Sequence, residues 1–537
     1  MAEPDLTRGP RLRIVAINDV YVLDALPHLA GLVAHARATD PADTLLVTLA
    51  GDFVAPSLLS SLDAGAGMVD TLNAVGVTHA CFGNHEDDIP PHELSARARE
   101  LRATLLGTNL RGYDPDLPLS DVVEVRAPSG AVTKVGLVGV VMDDRAVYRR
   151  PPFAPATVLP ANRAALDEAR RLRASGCDTV VALTHQPVAD DRALASAALG
   201  DLAFPVLLGG HDHQPYLETV ADTTLVKAGA DAILAAVVEL AFPPSGKGRP
   251  KVSATLVKTR DYPEVAEVRA RARSHEEKVH ALASAVLLVI EPGVTLSSRG
   301  TRSRQTTLGE LLATRVRDTL GADLCVFNGG GIRASRDYTE TFSYGDLEAE
   351  VPFANELVVV ALPGAVVERA IAVSRAKAPV ESGSFFQVCD RTVVGPDGRL
   401  THVAGAPFDP SRTYTVALVR NLFEGMDHVT PLVDFARERP DAIPPAGSGR
   451  DVKVVLLESF ARHLWSKLGG FARVDRNSDG FVTPSELGAA ITEHTRRPPS
   501  DVAAGIVMRA LDGDRDARIS ASEAPPEPAS DSSETVK

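Results

Sequence analysis

Cysteine is scarce in this chain, and the four present (Cys81, Cys177, Cys325 and Cys389) are widely scattered and form no CxxC pair. That pattern argues against a disulfide framework and against a structural zinc site. Long apolar runs are missing as well: no stretch approaches the ~20 residues needed to span a bilayer. Residues 1–10 are polar and lack the apolar centre of a signal peptide, so the expectation is a cytoplasmic protein with no membrane partner. Excess positive charge is absent too. The net charge of −14 argues against a binder of nucleic-acid polymers, whose phosphates need a basic face. No solenoid-type repeat is visible, and nothing predicts a protein partner.

At 537 residues the chain exceeds one hydrophobic core, and its 45% hydrophobic and 23% charged residues are ordinary for globular domains. From residue 11 to about 242, β-rich runs alternate with Ala/Leu/Arg stretches. The runs are 13–17, 44–49, 79–82, 134–141, 179–183, 206–208 and 237–242, and the helical stretches include 26–37 and 160–175. Continuous Val/Leu/Ile runs suit strands buried on both faces, so an α/β domain with a mainly parallel sheet or paired sheets is expected. A Glu/Ala/Arg-rich segment, 263 to about 288, reads as a long connecting helix. A second α/β domain follows, with a helix over 308–320, a glycine-rich turn at 328–333 and strands over 357–362 and 414–419. Residues 439–449 read as a loop. The expected division is 11–258, a connector 259–293, 294–463, a third unit 464–526 and a disordered tail 527–537.

Five of the strand-like runs end in polar clusters: Asn18–Asp19, Gly51–Asp52, Gly83–Asn84–His85, Thr184–His185 and Gly209–Gly210–His211–Asp212–His213. Ligands of α/β folds gather beyond the carboxyl ends of strands, so these clusters are expected to meet. Asp19, Asp52, Asn84, His185, His211 and His213 form the mixed oxygen and nitrogen inventory that a two-metal hydrolase requires. Each alone has the ordinary explanation of a cap or a turn. Six on successive strand ends do not.

With IND at 17–19, GD at 51–52, GNHE at 83–86, TH at 184–185 and GHDH at 210–213, in that order, the chain resembles the 5′-nucleotidase branch of the calcineurin-like metallophosphoesterases. The resemblance covers roughly residues 11–432. It implies a catalytic domain of sheets flanked by helices, an α/β substrate domain, and two divalent transition metals (Mn, Zn, Co or Fe). Asp52 would bridge them; Asp19 and His213 would hold one ion, and Asn84, His185 and His211 the other. His85 would act on the phosphoryl group or leaving oxygen, with Asp88 behind it to fix its tautomer and favour its cationic form. The implied reaction is attack of a metal-bridging hydroxide on a phosphomonoester, with rotation about the connector. One departure stands out. The usual Asp-x-His of the first motif is Asp19-Val20-Tyr21, which leaves Tyr21 as a phenolate ligand or as a hydrogen-bonding neighbour beside a water.

The resemblance extends to NGGGIRA at 328–334, Arg302 before TLGEL, VPF at 351–353 and SGSFFQV at 382–388. Arg302, Asn328, Gly330 and Arg333 would bind polar groups of the substrate, and Phe353 would stack on a base. The second base-clamping ring falls in an altered motif, 421–427, where Phe423 is displaced by one position. A phosphorylated sugar or glycerate derivative therefore competes with a nucleotide as substrate.

Beyond the resemblance, Asp475, Asn477, Asp479, Phe481, Thr483 and Glu486 stand at the ligand positions of a twelve-residue EF-hand loop with Gly480 at its turn. Asp512, Asp514, Asp516, Arg518 and Glu523 repeat it with Ala517 in the glycine position. A small all-α EF-hand unit binding Ca²⁺ is expected, with helices over 484–494 and 500–511 and a β-contact between Val482 and Ile519. Its seven carboxylates would supply half of the net charge of −14. The rival to an enzyme is a catalytically weakened, calcium-responsive binding protein.

Overall fold

The computed structural model describes residues 7–524 except 40–41, 149–150, 281–282, 354, 497–500, 513–515 and 517. Asp514, Ala517 and the tail 527–537 therefore lie outside the described residues. The chain divides into two compact units, Met1–Glu277 and Lys278–Lys537.

Besides the short antiparallel pair Leu110–Arg111 and Thr157–Val158, the strands of the first unit are β1 (Arg11–Ile17), β2 (Thr44–Ala50), β3 (His79–Cys81), β4 (Thr104–Leu106), β5 (Ser120–Arg126), β6 (Val132–Val141), β7 (Thr179–His185), β8 (Val206–Gly210), β9 (Pro215–Val220), β10 (Thr223–Ala228), β11 (Leu234–Ala241) and β12 (Lys251–Lys258). They make two six-stranded sheets, ordered β12-β11-β1-β2-β3-β4 and β9-β10-β8-β7-β6-β5. β1 to β4 run parallel, as do β6, β7, β8 and β10, and antiparallel pairings close every sheet edge except that at β4.

Period-two alternation explains how both sheets are buried. Leu12, Ile14 and Ala16 of β1 meet Leu137, Val181, Leu183, Val206 and Leu208 of the other sheet in one core. The alternate residues Val180, Ala182 and Leu207 turn outward against Ala161, Ala165, Ala169 and Leu172. Those four recur at helical spacing on Ala161–Ala174, which follows Pro160. The strands β4, β5, β9, β10 and β12 are additions to the sequence expectation. β12 alternates exposed and half-buried residues (KVSATLVK), an edge pattern rather than an apolar run.

The connector is shorter than expected: its helix is Ala266–His280, and Val286–Val289 is a strand paired with Thr341–Ser343. Four consecutive Val and Leu residues favour a strand there, and Pro292 and Gly293 close it.

The second unit is built on β13 (Leu324–Asn328), β14 (Glu356–Pro363), β15 (Phe386–Val388), β16 (Thr413–Val419) and β17 (Arg450–Asp451), in the order β15-β13-β16-β14-β17. Helix Thr307–Leu320, capped by Thr306, covers this sheet. Helix Val452–Lys467 packs on it and also on helix Asp501–Leu511. The boundary expected at 463/464 thus falls inside a helix, and the C-terminal residues join the second unit. Helix Pro484–Thr495 follows a loop in which Val482 pairs antiparallel with Ile519. Among the described residues no helix is long and apolar enough to cross a membrane.

Candidate metal centre

The carboxyl ends of β1, β2 and β3 in one sheet and of β7 and β8 in the other carry the predicted polar clusters, and they converge. The loop after β1 is stitched to that after β2: the Asp19 N–H donates to the Gly51 carbonyl at 3.0 Å and the Val20 N–H to the Asp52 carbonyl at 2.8 Å. Asp19, Asp52, His211 and His213 all have left-handed backbones, with φ of 54°, 53°, 86° and 55°. Such residues cost about 1–3 kcal/mol each and persist where surrounding structure over-determines them. Two motif glycines permit the approach. A Cβ on Gly83 would stand 2.2 Å from Asp52 Oδ1, and one on Gly210 would stand 2.2 Å from the Ala50 carbonyl.

The ligand atoms of Asp19, Asp52 and His213 lie within 4.8 Å of one another. His213 Nε2 is 3.2 Å from Asp19 Oδ1, and His185 Nε2 is 3.1 Å from Asp52 Oδ2. His211 Nδ1 lies 3.2 Å from Asn84 Oδ1. His185 Nδ1 faces the Ala50 carbonyl at 2.9 Å, which commits that nitrogen's proton. Its Nε2 is buried and makes no hydrogen bond, because the nearby Asp52 oxygen is off line. An imidazole held by one nitrogen to a carbonyl, with the other aimed at carboxylates, is the arrangement of a metal ligand. These residues fit a divalent cation.

Electrostatics lead to the same conclusion. Burial disfavours a charged His185, but Asp52 and Asp19 outweigh it and push the imidazole up to about 10. Burial raises Asp52, yet His185 and His85 hold its carboxyl well below the ordinary range. His211, buried beside cationic His185, falls to about 4. The carboxylates demand positive charge, and without a cation it comes from protons.

Tyr21 turns its hydroxyl into this cluster, 2.8 Å from His213 Nε2, 3.2 Å from Asp52 Oδ2 and 3.3 Å from Asp19 Oδ1. Ligands about 2.1 Å from a shared metal stand roughly 3.0–3.4 Å apart, so these spacings suit a ligand as well as a hydrogen-bonding neighbour. Burial, Asp52 and Asp19 keep the phenol protonated well above its ordinary value. His85 stands beside the cluster: its N–H donates to Asp52 Oδ1 at 2.9 Å, and its Nδ1 is 2.7 Å from Asp88 Oδ2.

Glu86, quoted in the GNHE motif without a role, is a structural centre of the site. Fully buried, it accepts from the backbone N–H groups of Gly83 (2.5 Å), Asp52 (2.9 Å), Phe53 (2.7 Å) and Val54 (2.9 Å). Burial and Asp52 raise it to about 7 against those four donors. Asp231, which accepts from the Tyr21 N–H at 2.9 Å, was likewise missed. An acidic residue between two small ones in a loop gives no signal until its neighbours are known.

In the second unit Asn328 ends β13 and donates to Asp427 Oδ2 at 2.7 Å. A Cβ on Gly383 would meet Asp427 Oδ1 at 2.8 Å and Arg302 Nη2 at 3.6 Å, so Arg302 and Asp427 gather at that loop. Gly330 N–H donates to the Gly383 carbonyl at 2.9 Å. The Arg302 Nε is buried without a hydrogen-bond partner. The Arg333 guanidinium lies 5.7 Å from the Phe353 ring centroid, and Phe353 is 46% exposed. Phe423 departs from the expectation of a surface stacking ring: at 4% exposure it is packed in the core. Asp427 is the residue of the altered motif that reaches the polar cluster.

In the C-terminal loops, Asp475 accepts from the N–H groups of Asp479 (3.3 Å) and Gly480 (3.0 Å), and Asp479 from Phe481 (2.9 Å). Asn477 Oδ1 accepts from the Asp479 N–H at 2.9 Å. Glu486 and Thr483 form a reciprocal capping box. In the second loop, Asp516 accepts from the Arg518 N–H at 2.8 Å and Glu523 from the Ser520 N–H at 2.8 Å. Asp512 follows helix Asp501–Leu511 and is buried.

Comparison with known proteins agrees with this geometry. Residues 12–215 match the calcineurin-like phosphoesterase family, and residues 283–434 match the 5′-nucleotidase C-terminal domain. Protein UshA of Yersinia enterocolitica is 36% identical over 118 residues, 22% of this chain and 21% of the relative. The chain thus spans about a fifth of the length of that relative. The structure of Haemophilus influenzae NAD nucleotidase superposes with a TM-score of 0.62 at 15% identity, over 84% of this chain and 95% of that one. That of a 5′-nucleotidase precursor from Thermus thermophilus superposes with a TM-score of 0.52 at 21% identity, over 84% and 95%. The chain therefore carries a calcineurin-like metallophosphoesterase domain followed by a 5′-nucleotidase C-terminal domain.

Proposed function

We propose that this protein is a metal-dependent phosphomonoesterase of 5′-nucleotidase type. The observation that carries the reading is the convergence of Asp19, Asp52, His185, His211 and His213 on strand ends of two sheets, with His85 and Asp88 beside them. Asp19 and His213 would hold one divalent ion, Asn84, His185 and His211 the other, and Asp52 both. Tyr21 would give the first ion a further oxygen. Mn, Zn, Co and Fe all suit this mixed donor set. Metals bound there would supply Lewis acidity towards the phosphoryl oxygens and lower the proton affinity of the attacking water. His85 holds its Nδ1 2.7 Å from Asp88 Oδ2, and its imidazole would steady the phosphoryl group or protonate the leaving oxygen. In the second unit, Arg302, Asn328, Gly330, Arg333 and Asp427 would recognise polar groups of the substrate, and Phe353 a flat one.

Phe423 lies in the core, and that favours a second substrate class. A nucleobase clamp uses two rings, and only Phe353 of the pair is exposed. A sugar phosphate or phosphorylated glycerate derivative would dispense with the clamp. We further propose that 475–486 and 512–523 are calcium loops, supported by the turn geometry at Asp475–Gly480 and by the Val482–Ile519 pairing.

The test is hydrolysis of a panel of nucleotides and sugar phosphates by chelated protein, with Mn²⁺, Zn²⁺, Co²⁺ or Mg²⁺ restored singly. Activity should require metal and vanish in Asp52→Ala. Full turnover in the metal-free preparation would refute the reading. The substrate with the highest kcat/KM decides between nucleotide and sugar phosphate.

A further inference from the structure

Lys227 lies in β10, within the run Leu225–Ala228, and is 1% exposed. Its Nζ donates to the carbonyls of Gln186 and Gly210, both at 2.7 Å. It forms ion pairs with Asp191 at 2.8 Å and with Asp212. Gln186 follows His185, Gly210 precedes His211, and Asp212 separates His211 from His213. One ammonium thus grips three points, each adjacent in sequence to a histidine of the candidate metal centre. Gly209 opposite makes room, since a Cβ there would lie 2.7 Å from Lys227 Cε. Asp191 is itself tied to Gln186, whose Nε2 donates to its Oδ1 at 3.0 Å.

Burying an ammonium costs several kcal/mol unless carboxylates and further acceptors surround it, and replacing such a cluster by apolar groups often stabilises a fold. A device of this kind is therefore better explained by what it positions than by what it stabilises. The ends of β7 and β8 are separate chain segments, and backbone pairing stops at Gly210–His185. Beyond that last pair, the Lys227 cluster is what ties the Gln186 carbonyl to the loop carrying His211 and His213.

We propose that Lys227, with Asp191 and Asp212, is a positioning cluster that sets the spacing of His185, His211 and His213 for cation binding. The inference rests on reading those histidines as metal ligands. Outer partners of metal ligands are worth about 10–100-fold in metal affinity.

The test compares Mn²⁺ affinity and stoichiometry, by calorimetry on the metal-free full chain, in charge-balanced pairs. Lys227→Met/Asp191→Asn should lose about 10–100-fold in affinity. Lys227→Gln/Asp191→Asn, which keeps an amide donor for the two carbonyls, should recover most of it. Saturated with Mn²⁺, the variants should differ from the parent in kcat rather than KM. Parent-like affinity in a folded Met variant would overturn the proposal. Should the double variants not fold, Asp212→Asn decides, because that side chain reaches the surface: affinity about tenfold lower supports the cluster, and unchanged affinity overturns it. A parent chain that binds no Mn²⁺ would instead overturn the metal-centre reading on which the proposal stands.

Discussion

Glu86 offers the most direct quantitative test of how the centre is held. Each of its oxygens accepts from two backbone N–H groups: Oε2 from Gly83 and Asp52, Oε1 from Phe53 and Val54. Glu86→Gln preserves shape but turns one oxygen into an NH₂ donor. Whichever way the amide sits, two buried N–H groups lose their acceptor. At about 1–3 kcal/mol for each unsatisfied group, the gross cost is about 2–6 kcal/mol. Part is returned, because the substitution also removes a buried charge that Asp52 repels. The expected net loss is therefore near the lower end, about 2 kcal/mol. At pH 8, above the value of about 7 to which burial and Asp52 raise Glu86, the parent side chain is ionised and all four bonds are at stake.

Hydrogen exchange is the appropriate assay, since a chain of two compact units has no single unfolding free energy. A loss of about 2 kcal/mol should speed exchange at the amides of Asp52, Phe53, Val54 and Gly83 roughly 30-fold. Amides of β13 and β16, in the other unit, should not change. Exchange at the four amides equal to the parent, to within about 0.5 kcal/mol, would refute the reasoning.

Two further outcomes follow from the same geometry. His85→Ala should lower turnover about 10²–10⁴-fold while Mn²⁺ content stays at the parent's, and loss of the metals would make His85 a ligand instead. In the C-terminal loops, Ca²⁺ should raise the melting temperature, and Glu486→Gln with Glu523→Gln should remove that rise. Turnover with the catalytic metal held constant should change little, and a large reversible change would mark a regulatory switch.

What could be read from the sequence was whatever short segments carry by themselves. The clusters ending β1, β2, β3, β7 and β8 each hold a donor, and those after β2, β3 and β8 also hold the glycine that permits a close approach, so motif order was enough to bring them together. The apolar runs of the central strands were equally plain. Edge strands were not: β9 and β12 mix polar with apolar residues and carry no apolar run, although each pairs with the strand nearest to it in the chain. Val286–Val289 looked helical because the preceding Glu/Ala/Arg stretch is, and pairing with Thr341–Ser343 decided otherwise. Glu86 and Lys227 were hidden for a related reason. All four groups on Glu86 and two of those on Lys227 are backbone groups, which leave no trace in residue identity. A lysine inside the apolar run Leu225–Ala228 was the one available signal. Phe423 shows the converse, since a motif position predicts a ring but not which way it faces.

Helix Val452–Lys467 has a consequence for how the second unit loses structure. It packs on Thr307–Leu320, which covers the sheet bearing Asn328, and on Asp501–Leu511, which leads into the last acidic loop. An element shared in this way makes its two neighbours one cooperative block: neither can detach without exposing the buried side of the common helix, including Val455, Leu456, Phe460 and Trp465. Free energy gained at the C-terminal loops is then spread over the whole block as protection from opening, with no movement required of any side chain near Asn328. Truncation before the loops would have the opposite effect, leaving one face of that helix in water and lowering the melting temperature of the sheet domain itself.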